Sequence, residues 1–226
     1  LRDRPYVALA ALNAVLYLYM PMLSVLLPLY VAQRTQAPSW TIGAVFILNT
    51  VGVALLQVRA SRSVSDPNTA AVAVRRAGVA LLLACIVFAV ASQPSGAVAA
   101  TAVLACAAAL QILGEVLLAS GSWEIGFAFA DPDRPGQWQG LYSSAIPLAR
   151  ALGPLALTGL VLTWDGPGWL VLGGVFAGAA LLVGPVVGRT PAARPDTDLS
   201  DPLELSVLSK SGSPCGAPAL TTKGTR

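Results

Sequence analysis

Two ionisable side chains lie within otherwise apolar sequence, and they are the residues of this chain best suited to chemistry. Glu115 follows Gln111-Ile-Leu-Gly, and Arg150 follows Pro147-Leu-Ala. Inside a bilayer a charged side chain is costly, so it normally faces a protein interior or a water-filled path. We expect the two charges either to pair or to face one common cavity. They would move a substrate or a proton, or else form a buried ion pair that only fixes packing.

Polar residues and prolines recur at helical spacing around both charges. A helix places residues three and four apart on one face. Three such stripes occur: Asn13, Tyr17, Pro21, Ser24 and Pro28; Gln111, Glu115 and Ser122; and Ser143, Pro147, Arg150, Pro154 and Thr158. These stripes belong to the first, fourth and fifth of six hydrophobic runs. We expect these three helices to line a cavity, and the second, third and sixth to be more peripheral.

The stripes supply the candidate site residues. Asn13, Tyr17 and Gln111 would contact a substrate together with Glu115 and Arg150, and Glu115 is the acidic candidate for proton coupling. Pro147, Gly153 and Pro154 interrupt the fifth helix. Such breaks are tolerated in membrane bundles and suit helices that rock or gate, although they also occur at simple packing kinks.

The elements that must position these residues are six hydrophobic runs, each of a length to cross a bilayer. A helix needs roughly 20 apolar residues to span about 30 Å of hydrocarbon. The third run is short, so we expect it to recruit Ala70–Val74 or the snorkelling side chains of Arg75 and Arg76. The predicted spans are Tyr6–Tyr30, Trp40–Val58, Gly78–Ala91, Val98–Ser120, Gly140–Leu162 and Trp169–Val187.

Composition agrees with an all-α polytopic integral membrane protein. The 226 residues are 55% hydrophobic and 11% charged, whereas soluble domains carry about 25% charged residues. The absence of histidine excludes His-dependent hydrolase sites and His metal ligands. Without a nucleophile–base pair, metal-ligand spacing or a clustered basic face, we predict no enzyme, no cofactor and no nucleic-acid partner.

The distribution of basic residues predicts the orientation in the membrane. Twelve of the 14 Lys and Arg residues fall before the first run, in the second and fourth loops, or after the sixth run; Arg34 alone falls on the opposite side. By the positive-inside rule, both termini are cytoplasmic. We predict a six-helix domain over residues 1–188, and a disordered cytoplasmic tail over 189–226, which is rich in Pro, Ser, Thr and charge.

Several stretches resemble one transporter family. The segments Gly114–Trp123, Asp131–Tyr142 and Ala149–Pro154 resemble helices ten and eleven, with their joining loop, of actinobacterial major facilitator superfamily transporters. Residues 1–5 resemble the segment that leads into helix seven. The family's basic loop motif after the second helix of a half is degraded here, because Arg59 and Arg62 are not preceded by an acidic residue.

The resemblance implies a fold and an activity. The chain would be the C-terminal half of a transporter, built from two inverted three-helix repeats, and its partners would be the lipid bilayer, a small-molecule substrate and an N-terminal six-helix half. Alternating access in the plasma membrane would export a small organic molecule, with proton coupling through Glu115. Two alternatives remain: a six-helix half-transporter that works as a homodimer, and a membrane scaffold or remnant that transports nothing.

Overall fold

The computed structural model describes residues 4–93, 96–131 and 133–189, and within them all regular secondary structure is helical. Six helical segments are long and apolar enough to span a membrane, as predicted, which makes the chain an all-α polytopic membrane protein. Apart from Arg189, the predicted tail lies outside the described residues. Spans 1 to 6 are Arg4–Arg34, Trp40–Ser61, Pro67–Ala89, Ala97–Ala128, Pro135–Trp164 and Gly166–Val187.

Span 3 begins at Pro67, 11 residues before the apolar run at Gly78, so it includes Ala70–Val74 as expected. Asp66 caps the helix, because its carboxylate accepts hydrogen bonds from the backbone N–H groups of Asn68 (2.8 Å) and Thr69 (3.1 Å). The Thr69 hydroxyl accepts in return from the Asp66 N–H (3.1 Å), which completes a capping box. The helix therefore starts early enough to carry Arg75 and Arg76 within its first turns.

Span 3 lies at the centre of the bundle, where it packs along spans 4 and 6. Small residues allow this close approach: a Cβ on Gly121 would lie 2.7 Å from the Ala70 carbonyl oxygen, and one on Gly78 would overlap Ala180. In the 18-residue apolar segment compared for each span, 56% of the residues of span 3 are buried, but only 11% of those of span 2. The expectation that span 3 is peripheral is therefore wrong. Small residues at its two contacts allow spans 4 and 6 to pack closely against it at the same time.

The principal helix pairings repeat between the first and the last three spans. Span 2 packs on span 4, and the corresponding contact in the other set is that of span 5 on span 1. Likewise, span 3 packs on span 4, and span 6 packs on span 1. Spans 3 and 6 pack on each other. The contact between spans 5 and 6 has no equally extensive counterpart between spans 2 and 3. The pairing is thus close to, but not fully, symmetric under exchange of the two three-helix sets.

An aromatic cluster closes the bundle where spans 1 and 5 begin. The fully buried Tyr6 hydroxyl donates to the Trp138 carbonyl (3.0 Å), and the two rings meet edge to face at 4.5 Å. The Gln139 side-chain amide donates to the Gly126 carbonyl near the end of span 4 (2.9 Å). These bonds tie spans 1, 4 and 5 together at this end.

A second aromatic cluster closes the opposite end. The Trp169 ring stacks on Phe88 at 4.8 Å and meets the Tyr30 ring edge to face at 5.2 Å. The Tyr30 hydroxyl lies 3.1 Å from Asp165 Oδ1, and Arg34 donates to the Leu162 carbonyl (2.6 Å). Spans 1, 3, 5 and 6 are therefore joined at the end where spans 2, 4 and 6 begin.

Candidate functional site

Glu115 and Arg150 face one common cavity halfway along the spans. This central cavity has a volume of about 380 Å³ and is formed by spans 1, 4 and 5. No direct ion pair joins the two charges. Of the two arrangements expected from the sequence, an ion pair or a shared cavity, the shared cavity is the one found. The lining residues are Tyr19, Met20, Pro21, Leu23, Ser24, Val25, Glu115, Arg150 and Pro154.

Span 1 is broken where it lines the central cavity. Pro21 has no N–H to donate to the Tyr17 carbonyl, which instead accepts from the Met20 N–H (3.0 Å), and the helix is interrupted at residues 17 and 18. A π-helical segment, Met22–Leu26, follows, closed by the bond from the Leu27 N–H to the Met22 carbonyl. Such π-helical turns occur frequently at functional sites. The irregular segment is the part of span 1 that faces the two charges.

The Glu115 carboxyl group is partly buried between spans 1 and 2. The side chains of Tyr19 and Asn49 interact with it, and Tyr17 does so electrostatically. Its Oε2 atom is nevertheless buried without a hydrogen-bond partner in the described part of the chain. Asn49 Oδ1 is likewise buried and unpartnered there. The Tyr19 side chain also interacts electrostatically with Arg150. Tyr19 therefore links the two charges that do not touch each other.

Arg150 lies on an exposed face of the fifth span. Leu148, Leu152 and Leu155 share this exposure, and 82% of Leu155 is accessible. The guanidinium thus borders the central cavity on one side and an uncovered apolar helix face on the other. An unpaired cation at this position is costly in hydrocarbon, so a bound anion, water or a further protein surface must meet it.

A second cavity, here the vestibule, lies towards the end where spans 1 and 5 begin. It has a volume of about 300 Å³, and its polar lining is neutral. The Ser122 hydroxyl donates to Asn13 Oδ1 (2.7 Å) and lies 3.3 Å from the Tyr142 hydroxyl. The lining residues are Asn13, Tyr17, Gln57, Ala119, Ser122, Trp123, Gln139, Tyr142, Ser143 and Ile146.

The five candidate cavity residues therefore occupy three different places. Asn13 and Tyr17 line the vestibule, and Glu115 and Arg150 line the central cavity. Gln111 lines neither of these cavities: it is fully buried, and both polar atoms of its amide lack a partner among the described residues.

The candidate kink residues of span 5 have distinct positions. The helix is interrupted at Ser144, because Pro147 cannot donate to the Ser143 carbonyl and its ring would clash with that group. Pro154 stands within the continuous helix Ala145–Trp164 and lines the central cavity. Gly153 is buried against span 1, where a Cβ would overlap the ring of Pro21.

Tyr19 and Asn49 are site residues that the sequence stripes miss. Tyr19 is out of helical register with Asn13 and Tyr17, but it follows the break at residues 17 and 18 and lines the central cavity. Asn49 and Thr50 form a polar interruption of the second apolar run, and this interruption is the feature of the sequence that could have identified Asn49 as a site residue.

Together, six spans and an internal cavity with two unpaired charges define a polytopic membrane protein with a polar site inside its bundle. Comparisons with protein-family models, with curated proteins and with solved structures find no match to this chain.

Proposed function

We propose that this chain is one half of a secondary transporter of the major facilitator type, which moves a small organic molecule by alternating access. The observation that carries the proposal is the central cavity, where Glu115 and Arg150 face the same space without neutralising each other. Charges kept unpaired within a bundle are a cost that substrate or proton movement explains. Export is the proposed direction, with Glu115 as the proton-coupling residue.

The helix pairing supports this family. Two three-helix repeats predict that the contacts between the sets are preserved when spans 1, 2 and 3 are exchanged with spans 4, 5 and 6. The pairs 2–4 and 5–1, and 3–4 and 6–1, follow that rule. The breaks at residues 17 and 18 of span 1 and at Ser144 of span 5 both lie beside the vestibule, which Tyr17 and Ser143 line, as expected of helices that bend during transport.

The uncovered faces of spans 2 and 5 support a further six-helix half as partner. Ile47, Leu55 and Val58 on span 2 and Leu152 and Leu155 on span 5 are all exposed apolar residues. A partner on the exposed face of span 5 would also cover Arg150 and the adjoining central cavity. The N-terminal half of the same transporter is the proposed partner, and a second copy of this chain is the alternative that the test must separate.

The proposed location is the plasma membrane with the basic loops in the cytoplasm. Cysteine labelling in a variant without native cysteines tests this orientation. A cysteine at Ser63, in the basic loop after span 2, should react with a membrane-impermeant maleimide only after permeabilisation, and one at Gln36 should react in intact cells. The reverse pattern would overturn the orientation.

Transport is tested with the complete protein in proteoliposomes that enclose a pH-sensitive dye. A panel of small organic cations, anions and neutral amphiphiles is added, and substrate-driven proton flux is recorded. We expect Glu115→Gln to abolish the flux, and Glu124→Gln, a change further along the same helix and outside the central cavity, to retain it.

Three outcomes contradict parts of the proposal. Unchanged pH-dependent transport in Glu115→Gln removes Glu115 from proton coupling. Flux from this chain alone, together with a dimeric mass, favours the homodimer. Absence of both flux and ligand-dependent stabilisation across the panel favours a scaffold that transports nothing.

A further inference from the structure

A groove on the outer side of the bundle carries one charged side chain. It lies between the beginning of span 3 and the end of span 6 and has a volume of about 500 Å³. Arg75 and Asn68 are its polar residues, and the walls are otherwise apolar or glycine. The lining residues that matter here are Asn68, Val72, Arg75, Leu181, Gly184 and Pro185.

Arg75 interrupts a stripe that is otherwise apolar and exposed. Val72, Val79, Leu83 and Ile86 follow one another at helical spacing along span 3, and each is 40–52% accessible. Such a stripe suits contact with acyl chains. Arg75 stands on the same side of the helix, in its third turn, so the groove that it lines opens beside this apolar stripe.

The groove is shaped around the Arg75 side chain. Its Cδ atom lies 3.9 Å from the position that a Cβ on Gly184 would occupy, so the side chain extends across this glycine. Gly184 precedes the end of span 6 at Val187 by three residues, or about 5 Å of helical rise. The Cδ atom of Arg75 therefore lies about one helical turn from the end of span 6.

Arg75 makes no hydrogen bond or ion pair with the residues that the structure describes. Asp66, the acid that begins span 3, directs its carboxylate to the backbone N–H groups of Asn68 and Thr69 instead. An unpaired guanidinium beside an apolar groove matches a phosphate group joined to acyl chains.

We propose that this groove binds an anionic phospholipid, with the phosphate on Arg75, the headgroup beside Asn68 and one acyl chain along Val72 and Leu181. The site is separate from the central cavity, and it does not depend on the transport function. Its ligand is a lipid rather than a soluble phosphate, because the walls on either side of Arg75 are apolar.

Native mass spectrometry of the full chain tests the proposal. The protein is released from detergent containing equal amounts of phosphatidylglycerol and phosphatidylcholine, and the ratio of retained lipids is measured. Arg75→Gln should lower the preference for phosphatidylglycerol about fivefold, the effect of roughly one basic residue near a membrane surface. Arg76→Gln is the matched control, since Arg76 is exposed on the same helix but does not line the groove.

Gly184→Leu provides a second variant that leaves Arg75 unchanged. It should fill the groove and reduce the total retained phosphatidylglycerol. An unchanged lipid ratio in Arg75→Gln overturns the proposal, and so does an equal loss in Arg76→Gln, which would indicate general surface attraction. Displacement of phosphatidylglycerol by glycerol 1-phosphate would assign the groove to a soluble phosphate instead.

Discussion

Gly153 of span 5 packs directly against the ring of Pro21 in span 1. Pro21 lines the central cavity, and so does Pro154, the neighbour of Gly153. The glycine therefore lets two proline-containing helices approach each other beside Glu115 and Arg150. This contact couples the break in span 1 to the position of the helix that carries Arg150.

The first prediction is that Gly153→Ala destabilises the protein. The added methyl group would overlap the Pro21 ring, and overpacking of this kind typically costs about 1–3 kcal/mol. Thermal unfolding in detergent micelles should show a lower Tm. Gly159→Ala, in the same helix, is the matched control: its Cβ meets no atom within 4 Å, so it should leave stability unchanged or raise it by up to about 1 kcal/mol.

The contact itself can be isolated with a second substitution. Pro21→Ala removes the ring that a Cβ at position 153 would meet, so the combination with Gly153→Ala should be less destabilising than the sum of the single changes. Additive effects would show that the added methyl group is opposed by another neighbour, such as Leu18 Cδ2, which a Cβ at position 153 would approach to 3.2 Å.

The second prediction concerns the two charges of the central cavity. No direct ion pair joins Glu115 and Arg150, but Tyr19 interacts with both, so the changes Glu115→Gln and Arg150→Gln should be only weakly coupled, with a coupling energy of about 0.5–1 kcal/mol. A double-mutant cycle on the free energy of unfolding measures this. A coupling of several kcal/mol, as expected when one partner of a buried pair is removed, would mean that the residues pair directly.

The third prediction is that Gln111→Leu stabilises the protein. Gln111 is fully buried, and its amide has no hydrogen-bond partner in the described residues. A buried unsatisfied polar group costs about 1–3 kcal/mol, so an apolar side chain of similar size should raise Tm. A lower Tm would contradict this.

Ser122→Ala is the opposite case for comparison. It removes the 2.7 Å bond to Asn13 and should lower stability by about 1 kcal/mol. If Gln111→Leu raises Tm and yet abolishes transport, the amide acts in a conformation of the cycle other than the one described here, which supports its candidate contact with substrate.

Hydropathy predicts the number of spans correctly, but it places their ends by the apolar runs alone. Span 3 extends to Pro67 through Arg75 and Arg76, whose long side chains can reach polar surroundings from within a helix. Span 4 continues past Ser120 to Ala128, because Ser122 is satisfied inside the bundle by Asn13. Polar residues that find partners within the protein do not end a helix.

The polar stripes place Glu115 and Arg150 at one cavity, but they assume an unbroken helix. The break at residues 17 and 18 changes the register of span 1, so Asn13 and Tyr17 line the vestibule while Tyr19 faces the central cavity. Gln111 and Glu115 stand one turn apart, yet only Glu115 borders the central cavity, because the packing of neighbouring helices decides which part of a helix face remains open.

The last prediction concerns the pH dependence of span 3. Hydrogen bonds from the backbone N–H of Thr69 lower the pKa of the Asp66 carboxyl below its usual value. A group with a lowered pKa in the folded state stabilises the protein above its unfolded pKa, about 4, and this stabilisation is lost as the pH falls through the folded pKa. Asp66→Ala should therefore lower Tm at pH 7 and by less at pH 3, which thermal unfolding at the two pH values measures. Thr69→Val is the comparison variant: it removes the bond to the Asp66 N–H and the hydroxyl bond to Asp66 Oδ2 (3.1 Å), but keeps the bonds from the Asn68 and Thr69 N–H groups, so its loss of Tm should change less between the two pH values. Equal losses at both pH values for Asp66→Ala would mean that the ionised cap does not stabilise the start of this helix.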